Sequence, residues 1–417
     1  MGAEANGFFK RNRSVFKLGL VALLISATAC TAAGLFLRTM EEFLLVIPGM
    51  MILIYSSIGM RGNIFGAMGS RIGTSMHMGT FGFSFGKGGV LRANIETSLG
   101  LTFFISLAMG VIGWIVVRVF NFDSNPDVTI SGVDFIFISM FGGLLAGLIL
   151  LVYNITIAKI GFKRGWDIDN VTCPLITAAG DIITIPMLAV SAWMVLNSSD
   201  TLLIEVLTAA LIAFTVAALG VILIRKAVNG RRDEAKRIIM QSAPVLLMCL
   251  LLNIVAGTII QGETEMLIAI PVLLILMPAF LNEGNALSGM LTSRLSSMLH
   301  LGTLNANKLP GREAAENFKI IYSLALVTYT YIATIGFVVA ALTGGVGDIG
   351  FLKVYAIVMI AGMIATTILN FLSYYVAIAA VRFDLDPDDH SIPITSSSMD
   401  LIGAFVLVSV ILLFVTV

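Results

Sequence analysis

Two aspartates, Asp181 and Asp400, stand inside apolar runs and close the same pattern. Asp167-Ile168-Asp169-Asn170 leads through Pro174 to Asp181, and Asp386-Pro387-Asp388-Asp389 leads through Pro393 to Asp400. Both read Asp-x-Asp-[Asn/Asp]-x3-Pro-x6-Asp. An ionised aspartate at the centre of a membrane helix costs about 2.5–3.5 kcal/mol on insertion scales. Such a residue therefore faces a cavity, a partner or an ion. A paired aspartate that holds helices together is one reading. Recurrence of the whole pattern favours the other, two carboxylates facing one another. Hard oxygen donors suit Mg²⁺ or Ca²⁺, and Mg²⁺ keeps most of its waters. A wide ring of a few carboxylates and carbonyls can hold such a hydrated ion.

The acids before these helices, Asp167, Asp169, Asp386, Asp388 and Asp389, form a cation vestibule on the same reading. Acidic residues also favour a helix N-terminus, so capping is an equal alternative. Pro174 and Pro393 fit a first helical turn, where no amide donor is needed.

A second block recurs as well. Gly62-Asn63 leads to Ser70-Arg71, and Gly284-Asn285 leads to Ser293-Arg294; His77 and His300 follow, each opening His-x-Gly-Thr. The Gly-Asn pairs predict an interrupted helix whose freed carbonyls line a cavity; close packing of small residues is the rival explanation. The two histidines lack a sequence-local carboxylate cluster and do not by themselves make a transition-metal site.

These residues need a membrane-embedded scaffold. The chain is 58% hydrophobic and 12% charged, with mean hydropathy +0.99, so lipid is the solvent for most of it. Lys+Arg 25 against Asp+Glu 25 leaves no field for nucleic acid. Cys30, Cys173 and Cys249 are scattered through apolar stretches and read as buried thiols.

Apolar runs predict eleven spans, near 18–37, 43–60, 97–118, 133–158, 174–197, 202–224, 240–261, 266–282, 317–343, 352–380 and 394–416. The first follows Lys10, Arg11, Arg13 and Lys17 and is expected to be a retained helix rather than a signal peptide. Of the 25 basic residues all but Arg38, Arg118 and Lys353 fall on one side of this map. The expected orientation has the N-terminus in the cytoplasm and the C-terminus outside, in the cell membrane.

The two blocks recur in the same order, so the chain divides into a tail (1–17), a five-helix repeat (18–200), a linking helix with a basic loop (201–238) and a second repeat (239–417). A five-helix unit is odd, and the linking helix restores its orientation. The repeats are then parallel about a pseudo-two-fold axis along the membrane normal. The fold class expected is all-α and polytopic.

At these residues the chain resembles the integral-membrane domain of the MgtE / solute carrier 41 magnesium transporter family, over about 43–200 and 265–416. The resemblance implies transport of Mg²⁺ or a related divalent cation, with no resident cofactor. It implies a five-helix unit that is dimerised in bacterial members and duplicated in solute-carrier members. This sequence looks like the duplicated form, functional as a monomer in lipid, with higher oligomers left open. By the same resemblance Asp181 and Asp400 match the family's intramembrane aspartate, and Asp167 and Asp386 match the acid that opens its helix. Ile168 stands where the second repeat has Pro387, so the two mouths are expected to differ. The short tail leads us to expect no bacterial-type cytoplasmic sensor. A Na⁺- or H⁺-coupled exchanger would use the same acids. An intramembrane aspartyl protease also needs two embedded aspartates, but the Gly-x-Gly-Asp signature is incomplete at Ala178-Ala179-Gly180-Asp181.

Overall fold

The computed structural model describes residues 13–77, 79, 81–82, 86, 89–122, 130–164, 168–198, 201–224, 234–300, 302–305, 309–347, 349–383 and 390–415. Among these the chain forms helices and no strand. They are α1 (Arg13–Thr39), α2 (Glu41–Val46), α3 (Met50–His77), α4 (Val90–Val119), α5 (Gly132–Arg164), α6 (Ile168–Asn197) and α7 (Thr201–Ile224). After these come α8 (Glu234–Gly262), α9 (Thr264–Ala269), α10 (Pro271–His300), α11 (Arg312–Leu342), α12 (Phe351–Arg382) and α13 (Ile392–Val415).

Ten of these helices are long and apolar enough to cross a membrane. The remaining long helix, α3, has 28 residues, with Ser56, Ser57, Arg61 and Asn63 diluting its apolar character. Nine of the eleven expected apolar runs fall, to within a residue, on one long helix each; the other two, 43–60 and 266–282, are divided between a short helix and the long one after it, α2 and α3 in the first case and α9 and α10 in the second. A helix closes its own backbone hydrogen bonds, which is the condition for spanning lipid. This is an all-α polytopic membrane protein.

Two corrections concern α3 and α10. The interruption expected at Gly62-Asn63 and Gly284-Asn285 is absent, because both helices run through these residues unbroken. Their carbonyls stay in the helical ladder, and the glycines face neighbouring helices instead. Arg61, counted on sequence grounds as a loop charge, lies within α3 and is fully buried. A third correction concerns Pro174. Helix α6 begins at Ile168, so Pro174 lies beyond its first turn, whereas Pro393 is within the first turn of α13 as expected.

The long helices before each Gly-Asn pair start alike. A short helix precedes each, α2 before α3 and α9 before α10. Pro271 opens α10, where its missing amide has no partner to lose. Before α3 the chain turns at Pro48-Gly49, and Gly49 takes φ 79°, with Val117 and Phe135 packed where a side chain would stand.

Lipid offers no hydrophobic drive for helix association, so close approach at small residues carries the packing. Helix α1 packs on α10, and α8 packs on α3. At the first crossing Gly34 lies on the backbone of Ile275, where any Cβ would overlap the Ile275 carbonyl. At the second, a Cβ on Gly257 would lie 2.8 Å from Ile52 Cα. One sequence offset relates both glycines and both isoleucines. Each crossing joins a helix from one half of the chain to a helix from the other, so the halves interlock. A further matched pair lies near the helix ends, Arg71 Nε donating to Asn94 Oδ1 at 2.9 Å and Arg294 Nε to Asn317 Oδ1 at 2.9 Å.

Burial separates the core from the periphery. The apolar window of α10 is 83% buried and that of α7 17%. Leu202, Val206, Phe214, Val216 and Ile224 of α7 are exposed, which suits a lipid-facing helix.

Candidate functional site

Helices α6 and α13 carry Asp181 and Asp400 into the middle of the bundle. Their relative exposures are 1% and 8%. The two carboxylates are close enough to act on one another electrostatically. Each is held from a different direction. Cys30 of α1 donates its thiol to Asp181 Oδ2 at 3.0 Å. Asn285 of α10 donates Nδ2 to Asp400 Oδ1 at 2.6 Å. Asp400 Oδ2 is buried and makes no hydrogen bond among the described residues.

That free oxygen borders α3 and α8. A Cβ on Gly59 would lie 2.8 Å from Asp400 Oδ2 and closer still to Asn253 Nδ2. Glycine at this position leaves space for both polar groups. Asn253 is fully buried, and neither of its amide atoms has a hydrogen-bond partner among the described residues. Burying unsatisfied amide and carboxylate atoms is costly, and a native site that tolerates them holds them for a purpose or for an ion.

The Gly-Asn pairs contribute through their asparagines. Asn63 Nδ2 donates to Ser397 Oγ at 2.8 Å, one turn of α13 before Asp400. Asn285 holds Asp400 itself. Both asparagines therefore reach α13, one from each half of the chain. Gly62 faces Thr177 of α6 and Gly284 faces Met399 of α13; a Cβ would meet these at 3.6 and 3.7 Å, ordinary contact distances.

The remaining expected residues are placed less fully. Asp167, Asp386 and Asp388 lie outside the described residues. Asp169 and Pro174 are in the first turns of α6, and His77 and His300 end α3 and α10, with their side chains outside the described set. Among the described residues no three of His, Cys, Asp and Glu gather as a metal cluster. The site is thus two acids with amide neighbours, and carboxylate oxygens suit a hard cation that keeps its own waters.

Several polar residues here were not singled out by motif. Cys30, Asn253 and Ser397 lie on apolar helices with no pattern around them. Glu283 and Arg61 had a signal, since each is a charge immediately before a Gly-Asn pair. Both are fully buried.

Comparison with known proteins bears on this arrangement. The MgtE family model, described as a divalent cation transporter, matches residues 54–191 and 277–410, and Asp181 and Asp400 fall one in each segment. Solute carrier family 41 member 2 of Macaca fascicularis and that of Homo sapiens are each 24% identical over 295 residues, 68% of this chain and 48% of the relative. Solute carrier family 41 member 2 of Gallus gallus is 25% identical over 189 residues, 43% of this chain and 31% of the relative. The chain spans about half the length of the first of these relatives. No solved structure matches it. Two family matches that together cover more than half of the chain establish that it belongs to the MgtE family of divalent cation transporters.

Proposed function

We propose that this protein carries a divalent cation, Mg²⁺ above others, across a membrane along a path between two parallel repeats, with Asp181 and Asp400 as the acids that bind it. The observation that carries this reading is the pair itself. Two carboxylates on membrane-spanning helices lie within each other's field, buried, and one oxygen is unsatisfied. Like charges so arranged repel in a low-dielectric interior, and a divalent cation between them reverses the sign. Family membership supports the same chemistry. The ion is cargo, and the reading needs no resident cofactor and no enzymatic step.

The tandem arrangement is supported by the matched Gly34/Ile275 and Gly257/Ile52 crossings, by the two Arg-Asn bonds and by the twofold family match. Repeats 18–200 and 239–417 then build one pathway in a single chain, so a monomer in lipid suffices. The basic-residue bias supports a cytoplasmic N-terminus in a cell membrane even with Arg61 withdrawn into α3. On that orientation Asp167, Asp169, Asp386 and Asp388 form a cytoplasmic vestibule that concentrates cations.

The test is Mg²⁺ uptake into proteoliposomes, with and without an opposing Na⁺ or H⁺ gradient, for the wild type and Asp181→Asn/Asp400→Asn. Flux set by the Mg²⁺ gradient and potential, and lost in the double variant, is expected. Flux that requires the counter-gradient makes the protein an exchanger through the same acids. Near-normal flux in the double variant at normal expression would sink the assignment of the pair.

A further inference from the structure

We propose that Glu283 is a proton-binding site in the core of α10 whose protonation is linked to cation occupancy at Asp181 and Asp400. The linkage rests on the aspartate-pair reading; the proton site itself does not.

Glu283 is 0% exposed, and among the described residues neither carboxylate oxygen has a hydrogen-bond partner within bonding geometry. Thr328 of α11 is beside it, but that hydroxyl donates to the carbonyl of Leu324 at 3.0 Å. An ionised carboxylate with no donor and no counter-cation is not sustained in such a place, whereas the uncharged acid is. A structural role for the ionised acid would require a charged partner, and among the described residues no ion pair to Glu283 is found.

The surroundings narrow the ligand to a proton. Helix α10 packs against α1, α6, α9, α11, α12 and α13. From α1 comes Cys30 and from α11 Tyr329, both in the field of Glu283. Asp181 of α6 and Asp400 of α13 hydrogen-bond to Cys30 and Asn285 instead. The titratable groups of α9 and α12 are Glu265, Lys353, Tyr355, Tyr374, Tyr375 and Arg382. A metal ion needs about six oxygen ligands, and a thiol, a phenol and a committed hydroxyl do not supply them. A proton needs only the carboxylate.

The matched position in the first half sharpens the point. Arg61 precedes Gly62-Asn63 as Glu283 precedes Gly284-Asn285. Arg61 is also fully buried, with Nη2 donating to Ser106 Oγ at 2.9 Å and its other two nitrogens unpartnered. The same place thus holds a permanent charge in one half and a titratable one in the other. Cys30 links the second to the ion site, since its thiol binds Asp181 while it shares the field of Glu283. A cation at the aspartates favours the ionised form of Glu283 and expels its proton; a proton on Glu283 weakens cation binding in return.

The test is infrared spectroscopy of the purified protein in lipid, before and after MgCl₂, read at the protonated-carboxyl stretch. The wild type is expected to show a band that is lost in Glu283→Gln, shifted but retained in Glu283→Asp, and reduced by MgCl₂. In Asp181→Asn/Asp400→Asn the Glu283 contribution should persist and no longer respond to MgCl₂. Protons released per Mg²⁺ bound, read with an indicator dye, should fall in Glu283→Gln while binding persists. An unchanged band in both Glu283 variants overturns the proton site. A band that disappears in Glu283→Gln yet ignores bound Mg²⁺ in the wild type overturns the linkage. A Glu283 band in a wild type that binds no Mg²⁺ supports the proton site and overturns the aspartate-pair reading.

Discussion

Asp181 and Asp400 occupy corresponding positions in the two halves of the chain, yet their surroundings differ. Asp181 accepts a weak thiol donor from α1. Asp400 accepts a short amide bond from α10 and keeps its second oxygen free beside Asn253 and Gly59. A matched position in the sequence pattern therefore does not fix the surroundings of the side chain it carries. Arg61 and Glu283 make the same point with opposite charges. If the halves share a pathway, the second holds the acid that is ready to meet a cation, and the first holds the acid that supports it.

This asymmetry can be broken in graded steps. The largest effect is expected for Asp400→Asn, which removes the free carboxylate oxygen. Loss of a charge-assisted contact of about 1.5–3 kcal/mol corresponds to roughly ten- to a hundred-fold in Mg²⁺ flux. Asp181→Asn should fall short of it, and equal losses in proteoliposome uptake would remove the distinction between the two acids.

Next come the crossings that bring the halves together. Gly34→Ala and Gly257→Ala put a methyl group into the backbones of Ile275 and Ile52. Each should destabilise by about 1–3 kcal/mol, seen as a lower unfolding temperature in detergent. Gly62→Ala and Gly284→Ala, with room at 3.6 and 3.7 Å, should leave that temperature nearly unchanged. Similar shifts in all four variants would mean that the crossings are not the tight points.

Asn285→Ala releases Asp400 Oδ1 and should cut flux about tenfold, the worth of one hydrogen bond to a charged group. The corresponding Asn63→Ala, which loses only the bond to Ser397, should cost less. Uptake assays on the two variants side by side test that order. The smallest change is expected for Cys30→Ser, which keeps a donor toward Asp181; an effect as large as that of Asn285→Ala would make the thiol more important than its geometry suggests.

The membrane helices were legible because lipid imposes a long, uninterrupted apolar run on every span, and that signal is local. Even α3, its apolar run diluted by Ser56, Ser57, Arg61 and Asn63, could be located from Pro48 and the run that follows. Asp181 and Asp400 were legible for the complementary reason that an acid inside such a run stands out. The helix break was misread at Gly62-Asn63 and Gly284-Asn285. A Gly-Asn pair weakens a helix only slightly when its neighbours pack on both sides, and that depends on which helices those are.

By itself the sequence determined the all-α class, the places of the long helices and the two embedded aspartates, since each follows from residue type and local run length. Only the tertiary structure decided that α1 crosses onto α10 and α8 onto α3, that Cys30 serves Asp181 while Asn285 serves Asp400, and that Arg61 and Glu283 are buried with no ionic partner among the described residues. Those contacts join residues far apart in the chain. The packing of small residues that creates them leaves no periodic trace that a single sequence could disclose.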